Sequence, residues 1–310
     1  NVGDSIDISS ATLSASGTYD VNLSGSATSS VTVAAAHLTG ANDVSEASSG
    51  AKTVTVVGAL SGYTIDSTID TLVLANATNS VTLGAAAQSV TGGSGNDTIG
   101  IGTGMSGTIN GGGGTNSLSI NNNAAITSAT VSNISTASIK GAYNFDVTRT
   151  QFDAITVSET GSSGNVRILS DGSTGGVFDL NASASLDISN ETVTVGFLDN
   201  GGSATTTLTL GNGSTLTSNA AQIDGLTINE AGGDDATLVV KGLGSSTADL
   251  ANATVNTITL DVTAGNASVG SGFNVTGARA YNVSGSNSLT LTGASSLGLN
   301  ATSSLVIAAS

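Results

Sequence analysis

"TGGSGNDTIGIGTGMSGTINGGGGTNSLSI", residues 91–120, is dense in glycine, yet an isoleucine or leucine returns in it at short, regular intervals. Glycine frees the backbone to turn, and the recurrent aliphatic residues give each segment something to bury. Together they describe short strands joined by tight turns. The same beat extends in both directions from this stretch. Period-2 runs occur at Ile6-Asp7-Ile8, Tyr19-Asp20-Val21-Asn22-Leu23, Val31-Thr32-Val33, Val54-Thr55-Val56, Leu72-Val73-Leu74 and Val81-Thr82-Leu83. The second half continues with Ile155-Thr156-Val157, Val193-Thr194-Val195, Leu208-Thr209-Leu210, Ile258-Thr259-Leu260 and Leu305-Val306-Ile307. These runs are too short for helices, and Gly, Ser, Asn and Ala clusters separate them.

Two all-β architectures suit such a string: a parallel β-solenoid, or tandem Ig-like β-sandwich domains. Aromatic residues make up only 3% of the chain, whereas a sandwich needs bulk to fill the gap of ~10 Å between its sheets. A narrow solenoid bore is filled by Val, Ile, Leu, Ala and Thr. Its coils also stack like on like, so that Asn, Ser and Thr can hydrogen-bond along the stack. The expectation is therefore a parallel β-solenoid, an elongated β-roll-like rod with about twenty residues per coil, running continuously through 1–310. The segment "KGAYNFDVTRTQFDAI", 140–155, concentrates Tyr143, Phe145 and Phe152 beside Lys140 and Arg149. It reads as a packed corner, or as a junction between two parts of the solenoid, with room for one helical turn.

The chain has 310 residues, 42 glycines, no proline, no cysteine and a formal net charge of −16 from 22 acidic and 6 basic side chains. So few cations cannot neutralise a phosphate backbone, which argues against nucleic acid as a partner. No apolar run approaches the ~20 residues that cross a bilayer, so membrane insertion is not expected. The absence of cysteine excludes disulfides, zinc–thiolate sites and a cysteine nucleophile. The chain begins at Asn1 with no Met or leader-like run after it, which reads as a processed product or a portion of something longer.

Within the opening stretch, Gly102, Gly104 and Gly107 fit G-x-G-x-x-G, but four glycines soon follow where a dinucleotide site requires a helix. The preceding segment is more specific. "GGSGNDTIG", Gly92 to Gly100, satisfies the nonapeptide G-G-x-G-x-D-x-U-x at Gly92, Gly93, Gly95, Asp97 and Ile99. "GGGGTNSLS", Gly111 to Ser119, repeats the form with Asn116 in place of the aspartate. A third stretch, "AGGDDATLVV" at 231–240, keeps Gly232, Gly233 and the pair Asp234-Asp235 but lacks the later glycine and aspartate.

The nonapeptide resembles the RTX repeat of type I secreted bacterial proteins. That resemblance implies a β-roll whose glycine turns hold calcium between stacked coils, here over 92–119. The implied ligands are Gly93, Gly95, Asp97, Gly111, Gly113 and Asn116. Carbonyl and carboxylate oxygens suit a hard cation, and an asparagine in place of aspartate weakens the site by one formal charge.

Nothing in the sequence points to catalysis. His37 is the only histidine and sits among small apolar residues, and no G-x-S-x-G elbow occurs. Asn-x-Ser/Thr sequons, for example at Asn22, Asn133 and Asn190, are a weak hint of glycosylation in so Ser/Thr-rich a chain. The texture is similar to that of proteobacterial S-layer proteins. The resemblance implies an extracellular structural protein that self-associates in a lattice or filament on calcium binding, with cell-surface glycan as a further partner. A stalk of a calcium-dependent secreted adhesin is the alternative, and a polysaccharide-acting β-helix enzyme the second.

Overall fold

The computed structural model describes residues 5–12, 20–23, 27–38, 43–46, 49–161, 164–172, 175–181, 183–188, 194–232, 235–242, 252–255, 257–261, 267–269, 280–284, 288–291, 298–299 and 304–307. Tyr19, Asn190, Val193 and residues 233–234 lie outside them. The chain divides into two compact units, Asn1–Val166 and Arg167–Ser310.

In the first unit, one seven-stranded sheet takes its strands from every second strand along much of the chain. Its order is Ser5–Asp7, Ser29–Ala34, Lys52–Val57, Thr71–Val73, Ser89–Thr91, Thr108–Asn110 and Thr130–Ser132. The strands between them build a six-stranded sheet of Tyr63–Thr64, Ser80–Thr82, Thr98–Ile101, Ser117–Ile120, Thr136–Ile139 and Thr156–Glu159. Both sheets are parallel in every pairing. A chain that alternates between two parallel sheets winds as a solenoid, and this excludes the antiparallel sandwich.

The sequence explains the winding. In the strands Lys52–Val57, Thr71–Val73, Ser89–Thr91 and Thr108–Asn110 the central β-branched or aliphatic residues point inward and their neighbours, mostly polar, point outward. Val31, Val54, Leu72, Val90 and Ile109 thereby form one buried column, none more than 2% exposed, with successive members in register. Ile101, Ile120 and Ile139 form another, each fully buried. One coil takes eighteen or nineteen residues through the glycine-rich region, close to the expected length.

The 140–155 segment is a corner. Asn144–Thr148 is a strand that leads into the helix Arg149–Ala154, and Phe145 and Phe152 both enter the core. Thr148 and Gln151 cap the helix reciprocally, each side chain bonding the other's backbone N–H. The unit boundary falls later in the chain, after Val166.

The second unit repeats the principle with different lengths. Ser185–Asp187, Thr215–Asn219, Thr237–Lys241, Thr257–Asp261, Ala280–Ser284 and Gly298–Leu299 form one parallel sheet. Two three-stranded parallel sheets accompany it: Phe178–Leu180 with Thr207–Leu210 and Thr227–Glu230, and Ala267–Val269 with Ser288–Leu291 and Ser304–Ile307. Phe178 and Phe197 meet edge to face at 4.9 Å in its core.

A candidate cation site between stacked glycine turns

Three successive coils of the first unit pass from the seven-stranded to the six-stranded sheet through turns at 74–79, 92–97 and 111–116, which lie directly over one another. Gly113 N–H donates to Gly93 O at 2.7 Å, and Ser117 N–H donates to Asp97 O at 2.9 Å. Glycine is required here by space as well as by dihedral angle. A Cβ on Gly93 would collide with Ala75 O, one on Gly95 with Ala77 O, and one on Gly112 with Gly93 O, while Gly112 itself has φ of 75°.

Each turn ends in a residue with a carboxamide or carboxylate side chain, buried immediately before the next strand: Asn79, Asp97 and Asn116. They form a ladder. Asn79 Oδ1 accepts from Leu60 N–H at 3.0 Å, Asp97 Oδ1 from Asn79 N–H at 2.9 Å, and Asn116 Oδ1 from Asp97 N–H at 2.8 Å. The two amides use their nitrogens to tie down carbonyl groups. Asn79 Nδ2 donates to Ala75 O, Ala77 O and, at 2.8 Å, to Asp97 Oδ1, and Asn116 Nδ2 donates to Gly113 O and Asn133 O.

Asp97 has no nitrogen to offer. It is 1% exposed, and its Oδ2 has no hydrogen-bond partner among the described residues. The surroundings of Gly111 and Gly92 show what this oxygen faces. The atoms that a Cβ on Gly111 would meet include Asn116 Nδ2 and Asn133 O, which are bonded to each other at 3.0 Å. The equivalent atoms at Gly92 are Asp97 Oδ2 and Gly111 O, both acceptors. A buried carboxylate oxygen with no donor, near a carbonyl oxygen, is unfavourable unless a positive group compensates it. Asp97 is also the only ionisable side chain between Asp70 and Lys140.

Asp97 Oδ2 and Gly111 O are the two oxygens of the turn that would hold a hard cation. The other expected ligands are placed as follows. Gly93 O accepts from Gly113 N–H, Gly113 O accepts from the Asn116 amide, and Asn116 Oδ1 is taken by Asp97 N–H. Gly95 O faces Gly114 of the next coil. The structure therefore brings Asp97 and Gly111 together at one point and places Asn116 in the ladder. Asn79 and Asn133 were not among the expected site residues. The recurrence of Asx-Ser/Thr-apolar at Asn79-Ser80-Val81, Asp97-Thr98-Ile99 and Asn116-Ser117-Leu118 is the signal that marks the ladder.

Elsewhere, Asp235 of the third glycine stretch accepts from Gly213 N–H of the neighbouring turn at 2.7 Å. Asp199 closes a loop in the second unit: Oδ1 accepts from Ser203 N–H and Gly201 N–H, and Oδ2 from Gly176 N–H. The Ser203 bond, then the Gly176 bond, hold its carboxyl below the ordinary range, so this aspartate is already satisfied by the backbone. His37 lies in the single-turn helix Ala35–His37. Among the described residues no three His, Cys, Asp or Glu side chains gather into a metal-binding group. No helix among them is long and apolar enough to cross a membrane. No family model, curated protein or solved structure matches the chain.

Proposed function

We propose that the chain is a structural segment of an extracellular surface layer, a calcium-stabilised β-solenoid that self-associates in a lattice. The observation that carries this reading is the bare Oδ2 of Asp97, buried in a glycine turn that resembles the RTX repeat. Calcium bound there would supply the positive charge that the amide nitrogen supplies in the coils on either side. The chain's own contribution is the frame: glycines that let the turns approach, and an amide ladder that fixes the carboxylate. Such a site links folding to the calcium level of the compartment, low where a secreted chain is made and high where it acts. The reading assigns no catalytic step to any residue.

The test is removal of calcium from the purified chain, with secondary structure followed by circular dichroism and association by sedimentation. Chelation is expected to loosen the first unit and dissolve assemblies, and restored calcium to rebuild both. Unchanged fold and unchanged association state would overturn the reading.

A further inference from the structure

We infer that the outward face of the seven-stranded sheet is the surface through which two copies of this chain meet, an inference that rests on the lattice reading above. The parallel register sets two columns of side chains on that face. One runs Ser30, Thr53, Thr71, Ser89, Thr108 and Thr130, and the other Thr32, Thr55, Val73, Thr91, Asn110 and Ser132. Neither column contains an ionisable side chain until Asp7, on the first strand of the sheet. On a chain of net charge −16, a flat uncharged face is where two copies approach at least coulombic cost.

The hydroxyl groups distinguish this face from that of the six-stranded sheet by degree. On the latter about half bond within the chain, Thr98 with Ser117, Ser119 with Asn121, Ser138 with Thr160 and Ser158 with Ala137 O, while Ser80, Thr82, Thr136 and Thr156 do not among the described residues. On the seven-stranded sheet, Ser89 Oγ accepts from Thr108 N–H. The hydroxyls of Thr53, Thr55, Thr71, Thr91, Thr108 and Thr130 have no partner within the chain among the described residues. Each can donate and accept, so a face built of them complements a copy of itself, and the threonine methyl groups add apolar area.

Strands spaced ~4.8 Å apart and two outward residues per strand give about 300 Å² of flat face. A stable pair needs about 800 Å² on each partner, so one such contact is weak and holds by repetition in an array.

The experiment measures the concentration at which the full chain assembles in calcium, by light scattering with imaging of the product. Thr91→Glu with Thr108→Glu puts two charges on the proposed face. Thr136→Glu with Ser158→Glu puts the same two charges on the six-stranded sheet and serves as the control. The first pair is expected to raise the assembly concentration about tenfold or more, equivalent to about 1.4 kcal/mol, and the control to stay within about twofold of wild type. Equal shifts in both pairs, or no shift in either, would overturn the face while leaving the lattice standing. A wild-type chain that never assembles would overturn both. Should a double variant lose its β-sheet spectrum, single Thr91→Glu against single Ser158→Glu makes the same comparison.

Discussion

Asp97 is one atom away from the residues above and below it in the stack. An asparagine there would place a donor beside Gly111 O, as Asn116 Nδ2 donates to Asn133 O one coil further on. Asp97→Asn is therefore expected to melt at or above wild type in chelator, by about 1–3 kcal/mol, and to lose its response to calcium. A variant that destabilises equally with and without calcium would remove Asp97 from any cation site. Asp97→Ala is a poorer probe, because it also strips the acceptor from Asn79 N–H in either condition. Asp199 supplies a pH prediction of the opposite kind. Its folded pKa is depressed, chiefly by the Ser203 N–H and then the Gly176 N–H, so its stabilisation is present above the ordinary carboxylate range near 4. That contribution disappears as the pH falls through the lower folded value. Asp199→Asn should flatten the acid limb of the second unit's stability curve below about pH 4, and an unaltered limb would contradict the assignment.

At the scale of elements, the corners are held by glutamines. Gln88 Nε2 reaches back one coil to Asp66 O and Ile69 O, while its Oε1 accepts from Gly84 and Ala85 N–H. Gln151 and Gln222 do the same at the helical corners, reaching Ile126 O and Ile188 O. Gln88 is 2% exposed, so Gln88→Ala leaves several buried backbone groups unpaired and should cost about 2–4 kcal/mol in chemical denaturation. A loss below about 0.5 kcal/mol would mean that water replaces the amide without penalty. These glutamines were not legible in the sequence, because a single polar residue between strands carries no period. The strands were legible: runs such as Val54-Thr55-Val56 alternate cleanly, and the scarcity of aromatic residues selected the narrow bore over the sandwich. The aromatic cluster at 140–155 marked a real change in texture, a helical corner wide enough to bury Phe145 and Phe152. The glycine turns were legible as turns, but burial of Asp97 was not. Whether an aspartate at a turn's end points to water or to the next coil depends on the coil it stacks on, which the nonapeptide does not encode.

For the whole molecule, stability comes from stacking identical positions. Such a stack is vulnerable wherever one coil lacks what its neighbours supply, and Asp97 is that place in the first unit. The proposed calcium site, with its single carboxylate, would rank among weak sites, with Kd near 10⁻⁴–10⁻³ M. On that proposal about 10 mM calcium would add about 1.5–3 kcal/mol, or several degrees in the melting of the first unit. Calorimetric melting of the full chain in calcium and in chelator tests the central claim most directly. The account predicts that the transition of the first unit rises by several degrees with calcium while that of the second stays in place; superimposable traces for the first unit would contradict it.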